Sequence, residues 1–193
     1  MRLQGNSVTL RLARTADRAE LERLREDPEI DRFMGVDAGS KGAIWNRVFV
    51  GAASGALADL VILDDDGRAI GLLSFWERSI PHQAAELSIW LARGYRGRGY
   101  GTAALWKGLR HIFSEFDLHK VYLRVLSYNV RAIRSYEKCG FQEEGVLRQE
   151  MCVDGSWHDL IYMGLLRSEF EDREAEQASF AGNGSAPLTS GRR

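Results

Sequence analysis

The hydrophobic pattern of this chain switches several times between a two-residue and a roughly 3.6-residue period, and the switches mark its elements. Ser7 to Ala13 ("SVTLRLA") alternates and predicts a strand. Ala16, Ala19 and Leu24 among charged residues predict a helix to about Asp27, with Thr15 as a cap and Pro28 at its end. Residues 29–50 carry a weaker pattern, with a second helix expected over about Lys41 to Val50. "ADLVIL" and "AIGLLSFW" read as strands flanking "DDDGR", where Asp66-Gly67 signals a hairpin turn. "AELSIWLA" is the next strand. It sets Glu86, Ser88 and Trp90 on one face and Leu87, Ile89 and Leu91 on the other. Leu105, Leu109, Ile112, Phe113 and Phe116 then recur at helical spacing. "KVYLRVL" predicts a strand over Lys120 to Leu126, and Asn129 caps a helix through Lys138 that Gly140 stops. "VLRQEMCV" and "HDLIYMGLL" form a closing hairpin about Asp154-Gly155. From about Glu171 the chain is charged and then rich in Gly, Ser and Pro. Ala178 to Arg193 reads as a disordered tail.

The order is strand, helix, helix, three strands, helix, strand, helix, two strands. The strand–helix–strand passage over residues 86 to 126 predicts a right-handed crossover between two parallel strands, while the hairpins make the remaining pairs antiparallel. The expected fold is therefore mixed α/β (α+β), in one domain over residues 1–170 followed by a tail over 171–193.

Composition narrows the field. Hydrophobic residues make up 45% of the 193, enough for a proper core, and 26 basic against 27 acidic residues leave no global basic field for nucleic acid. The opening residues lack the apolar core of a signal peptide, and the longest weakly polar run, Gly51 to Leu63, contains Asp59 and is too short to span a bilayer. Cys139 and Cys152 form no disulfide framework, and with four scattered histidines they suggest no metal site. The expectation is a soluble, cytoplasmic protein with no metal, membrane or nucleic-acid partner.

One loop stands out. Arg93 to Thr102, "RGYRGRGYGT", packs four glycines and three arginines into ten residues, leaving a strand and entering a helix. The first turn of a helix presents free N–H groups and a positive dipole end. Gly97, Gly99 and Gly101 let a backbone approach oxygens closely, and Arg96 and Arg98 can add charge-assisted bonds to phosphate. No P-loop string occurs. "GYGTAA" from Gly99 fits a dinucleotide fingerprint, yet the following strand ends "VLSYN" without the carboxylate that would hold a ribose.

Arg96-Gly97-Arg98-Gly99-Tyr100-Gly101 also fits [QR]-x-x-G-x-[GA]. "SYNVRAIRSYEKCGFQEEG" continues the likeness, as do "DGSWHDLIYMGLL" and "LRLARTADRAELERLREDPEIDRFMG". Over roughly residues 7 to 166 the chain resembles the GNAT-type N-acetyltransferases, in the branch of ribosomal-protein alanine and serine N-terminal acetyltransferases. The resemblance implies a central splayed pair of parallel strands in a mostly antiparallel sheet, and direct transfer of an acetyl group from acetyl-CoA to an amine. It implies that Arg96, Gly97, Arg98, Gly99, Tyr100, Gly101 and Thr102 hold the pyrophosphate. Leu91 offers a backbone N–H and Asn129 a side-chain bond to the pantetheine arm, and Tyr136 protonates the departing thiolate.

An attacking amine must be neutral, so a base is expected. Glu86 is the candidate, directly or through water, with His82 and Glu150 as weaker ones. Its alternative is a rim residue paired with Arg124. The acceptor is a small-molecule amine or a protein N-terminus, and monomer and homodimer both fit the family. "EDPEID", with Glu26, Asp27, Glu29 and Asp31, suits a cationic amine or is a solvated face; Trp45, Trp76, Trp90 and Trp157 line a pocket or the core. Cys152 is expected to be structural. A CoA-binding regulator without turnover and a dinucleotide-dependent oxidoreductase are the competing readings.

Overall fold

The computed structural model describes residues 8–34, 56–79 and 82–182. The helix expected over Lys41 to Val50 lies outside them. Seven strands form one sheet in the order β1-β2-β3-β4-β5-β7-β6: β1 (Thr9–Leu12), β2 (Ala56–Leu63), β3 (Ala69–Ser79), β4 (Ala84–Leu91), β5 (Lys120–Leu126), β6 (Gln142–Val153) and β7 (Ser156–Leu166). Every neighbouring pair is antiparallel except β4 and β5. All seven expected strands are present. Both hairpin turns stand where the Asp-Gly pairs put them, and Asp154 and Gly155 both take positive φ (50° and 77°), as a two-residue primed turn requires.

Helices cover both faces of the sheet. On one face α3 (Tyr100–Glu115), α4 (Val130–Cys139) and α5 (Arg167–Gly182) bury the main core, where Leu73, Phe75, Leu87 and Val121 meet Leu105, Leu109 and Ile112. On the other, α1 (Arg18–Leu24) and α2 (Pro28–Met34) seat Leu21 and Ile30 on Val61, Leu72 and Trp90. Burial of this apolar area is the main stabilising term.

Pro28 does not simply close a helix. α1 already ends at Leu24, and Pro28 opens α2 at a position where its missing N–H costs nothing. Asp27 caps that second helix by accepting from the Glu29 N–H at 3.0 Å.

Residues 171–182 are not tail; they continue α5 from Arg167. Composition missed this because a few residues at the start of the helix anchor it. Phe170, 1% exposed, packs against Trp106 and Phe113 with ring centroids 5.2 and 5.4 Å away. Glu169 accepts from the Leu166 N–H, capping the helix. The Arg167 guanidinium donates at 2.7 Å to the carbonyls of Phe113, Phe116 and Leu118, the open C-terminal end of α3 and the turn after it. Arg167→Met should therefore lower the free energy of unfolding by about 2 to 3 kcal/mol. The check is the urea midpoint at unchanged slope, and an unmoved midpoint would contradict the anchoring role.

Candidate active site at the strand splay

β4 and β5 pair only through Ala84, Ala85 and Glu86 with Lys120, Val121 and Tyr122. Beyond that point each strand stays with its outer neighbour. β4 follows β3 to Leu91 opposite Gly71, and β5 follows β7 to Leu126 opposite Leu160. The middle of the sheet thus opens as a V with Glu86 at its vertex.

Backbone polarity in the opening follows from strand alternation. Ala92 donates its N–H to Ile70 of β3, so the N–H and C=O of Leu91 turn the other way, into the gap. Arg96 takes the Leu91 carbonyl through its Nε at 2.7 Å. The Leu91 N–H is left facing the opening, as the expected contact to a pantetheine amide requires.

A cavity of about 800 Å³ occupies the gap. Residues from both faces of the sheet line it: Ile30, Phe33 and Met34 from α2 on one side, Thr102, Leu105 and Tyr136 from α3 and α4 on the other. Of the site residues expected from sequence, Glu86, Leu91, Arg96, Gly97, Gly99, Gly101, Thr102, Asn129 and Tyr136 all line this one space. Arg98 and Tyr100 do not. Tyr100 is buried edge-on to Tyr95, so only its backbone belongs to the loop; the exposed Arg98 donates to the Gly94 carbonyl and lies over the Tyr100 ring.

Gly99 sits at the N-cap of α3 with φ 90°, and no side chain caps the helix. Gly97 has φ 72°, and a Cβ built there would meet nothing within 4 Å. An uncapped helix start beside open glycine backbone fits a diphosphate. Arg96 differs from expectation. Its side chain is 8% exposed and is held by Asp27 at 2.8 Å and by Glu29, so its charge faces two carboxylates. Other cations that line the space are ones the sequence reading missed: Arg131, Arg134 and Lys138 on α4. Their spacing of three and four residues on one helical face was the available signal.

Asn129 caps α4 by accepting from the Ala132 N–H at 3.3 Å and also lines the cavity, so the two roles considered for it coexist geometrically. Tyr136 is 6% exposed, and Phe141 holds its ring edge-on at 5.8 Å. Burial, with a smaller contribution from Cys139, pushes its phenol well above the ordinary range. Burial likewise pushes the Cys139 thiol up to about 12, an inert packing residue.

Glu86 is paired. Oε1 accepts from Arg124 Nε at 2.7 Å, and Oε2 accepts from the Tyr122 hydroxyl at 3.3 Å. His82 and Glu150 do not line the cavity. Trp76 and Trp90 do; Trp157 is 62% exposed, and Trp45 lies outside the described residues. Cys152 is exposed rather than packed. "EDPEID" is neither a free acidic patch nor a bare solvated face: Asp27 and Glu29 hold Arg96, and Asp31 pairs with the buried Arg25 at 3.3 Å. Among the described residues no helix is long and apolar enough to cross a membrane.

Comparison with known proteins agrees with this geometry. The chain is 34% identical over 113 residues to spermidine N(1)-acetyltransferase of Vibrio cholerae, covering 58% of this chain and 65% of that protein. It is 34% identical over 106 residues to a putative ribosomal N-acetyltransferase of Bacillus subtilis, covering 55% and 58%. These alignments thus span less than two-thirds of the relatives' length. The crystal structure of the Vibrio cholerae spermidine N-acetyltransferase with CoA and spermine superposes with a TM-score of 0.75 at 27% identity, covering 85% of this chain and 98% of that one. The acetyltransferase (GNAT) domain family matches residues 7–142. A match over more than half of the chain, on a sheet that splays at its one parallel pair, makes this protein a member of the GNAT acetyltransferase family.

Proposed function

We propose that this protein transfers an acetyl group from acetyl-CoA to the primary amine of an acceptor bound with it in the cleft. The observation that carries the reading is the single cavity that joins the glycine loop, Asn129, the open edge of β4 and Tyr136. The thioester supplies the activated acyl group; the remaining work falls to this chain. The α3 N-terminus, Gly97, Gly99 and Gly101 hold the diphosphate, with Arg131, Arg134 and Lys138 adding positive charge from the facing helix. The Leu91 N–H and the Asn129 amide orient the arm along β4.

Tyr136 acts on the leaving sulfur. Its raised pKa keeps the phenol protonated throughout the working pH range, so it is a neutral hydrogen-bond donor aimed at developing negative charge. Glu86, at the vertex of the V, takes the acceptor's proton directly or through water. Arg124 and Tyr122 hold its carboxylate in place. A regulator without turnover would have no use for a buried phenol positioned in this way.

The acceptor end favours a singly charged amine with apolar neighbours. Ile30, Phe33, Met34, Trp76 and Trp90 supply its walls. Among the described lining residues Glu86 is the one carboxylate, and Arg124 already neutralises it. A polyamine carries several positive charges and needs several carboxylates. A peptide N-terminus carries one charge and brings its own side chain. The favoured acceptor is therefore a protein N-terminal amine, although one of the relatives acts on spermidine.

Three outcomes are expected. With acetyl-CoA, peptides bearing a free N-terminus should release thiol at a higher kcat/KM than spermidine; the reverse order would overturn the acceptor assignment. Tyr136→Phe should lower kcat by about a hundredfold and leave CoA affinity within about threefold. A phenol with a raised pKa stays competent as pH rises, so wild-type kcat/KM should climb through the amine's pKa near 8 and hold to about pH 10. A fully active Tyr136→Phe protein, or a fall in rate below pH 10, would remove Tyr136 from the reaction.

A further inference from the structure

Arg96 matches the first position of the glycine-loop motif, yet its guanidinium is bound on three sides by protein. Nε donates to the carbonyl of Leu91, the last residue of β4. Nη2 pairs with Asp27 Oδ2 at 2.8 Å and Nη1 with Glu29 Oε2. Asp27 Oδ1 meanwhile caps α2, the helix that carries Ile30, Phe33 and Met34 into the acceptor side of the cavity. Glu29 Oε1 reaches Arg131 at 3.7 Å, and Arg131 lies over the Phe33 ring at 5.6 Å. On the far side of the gap the Tyr128 hydroxyl donates to the Arg32 carbonyl at 2.6 Å, and its ring packs at 5.7 Å from Phe33. α2 is thus strapped at one end to the cofactor loop and at the other to the β5–α4 connection.

We propose that Arg96 is a positioning residue for the acceptor rather than a phosphate ligand: its ion pairs with Asp27 and Glu29 fix the α2 wall against the loop that holds the cofactor. This rests on the acyltransferase reading above. The guanidinium hydrogen-bonds Glu29 and meets Asp27 as a close ion pair whose facing atoms, Nη2 and Oδ2, make no hydrogen bond, and removing either side leaves charge uncompensated in a largely buried site. The clasp sets the distance between the two substrates, because Arg96 belongs to the loop that binds one and grips the helix that lines the site of the other. It also explains why Asp27 and Glu29 are unavailable to a cationic acceptor.

The test compares Arg96→Gln with the double variant Asp27→Asn, Glu29→Gln in the full chain. Asn keeps the helix cap while removing the charge. Four quantities are measured: CoA affinity by calorimetry, acceptor KM and kcat with a free N-terminal alanine peptide, and amide hydrogen exchange of residues 29–34. Both proteins should show faster exchange in α2 and an acceptor KM raised about tenfold, with CoA affinity and kcat within about threefold of wild type. Glu29→Gln alone, at a half-exposed position, gives a milder version should the others fold poorly. If Arg96→Gln weakens CoA binding tenfold while the carboxylate variants change nothing, Arg96 is a phosphate ligand and the clasp is wrong. A wild-type protein that releases no thiol with any amine would sink the acyltransferase reading instead; the exchange and CoA arms would still decide the clasp.

Discussion

Parallel pairing that stops after three residues is the constraint on which the rest of this structure depends. A continuous β4–β5 ladder would satisfy every backbone group in the middle of the sheet and leave no room there. Ending the ladder at Glu86 and Tyr122 opens a passage lined from both faces and turns the Leu91 N–H into it. Each strand keeps its antiparallel partner, so the opening is not a tear: Leu91 still sits opposite Gly71, and Leu126 opposite Leu160. The cost of the unpaired edge is offset when a ligand with amide groups lies along it.

In the proposed reading each face of the sheet serves one substrate. α3 and α4 bring an uncapped helix start, open glycines, Arg131, Arg134, Lys138 and Tyr136 to the passage from one side. α2 brings apolar side chains from the other. Glu86, on the α2 face at the vertex, lies where the two meet. Its pairing with Arg124 leaves the acceptor end nearly neutral, and that neutrality separates the proposed acceptor from a polyamine.

Much of this was legible in the sequence. The alternating strands, both Asp-Gly turns and the helix carrying Leu105 and Leu109 follow from local periodicity, which reports which side of an element faces the core. Residues as far apart as Glu86 and Tyr136 were gathered into one site only through the motif resemblance, since periodicity contains no information about distant contacts. What stayed hidden depends on tertiary partners. Arg96 sits among glycines, and its carboxylate partners lie 67 and 69 residues earlier, in a run that itself resembled a solvated face. The C-terminal segment looked disordered because its composition is polar, while its order depends on Arg167 and Phe170 finding the end of α3. Local sequence carries propensity, and in both places packing overrode it.

The central claim is that the splay edge and the loop bind the acyl carrier. Backbone amide exchange with and without CoA, resolved at single residues, tests it most directly. CoA should slow exchange at Leu91 and at the amides of residues 97–102, while amides already paired within the sheet, such as Ala92, stay as they were. Unchanged exchange at Leu91 under saturating CoA would contradict it.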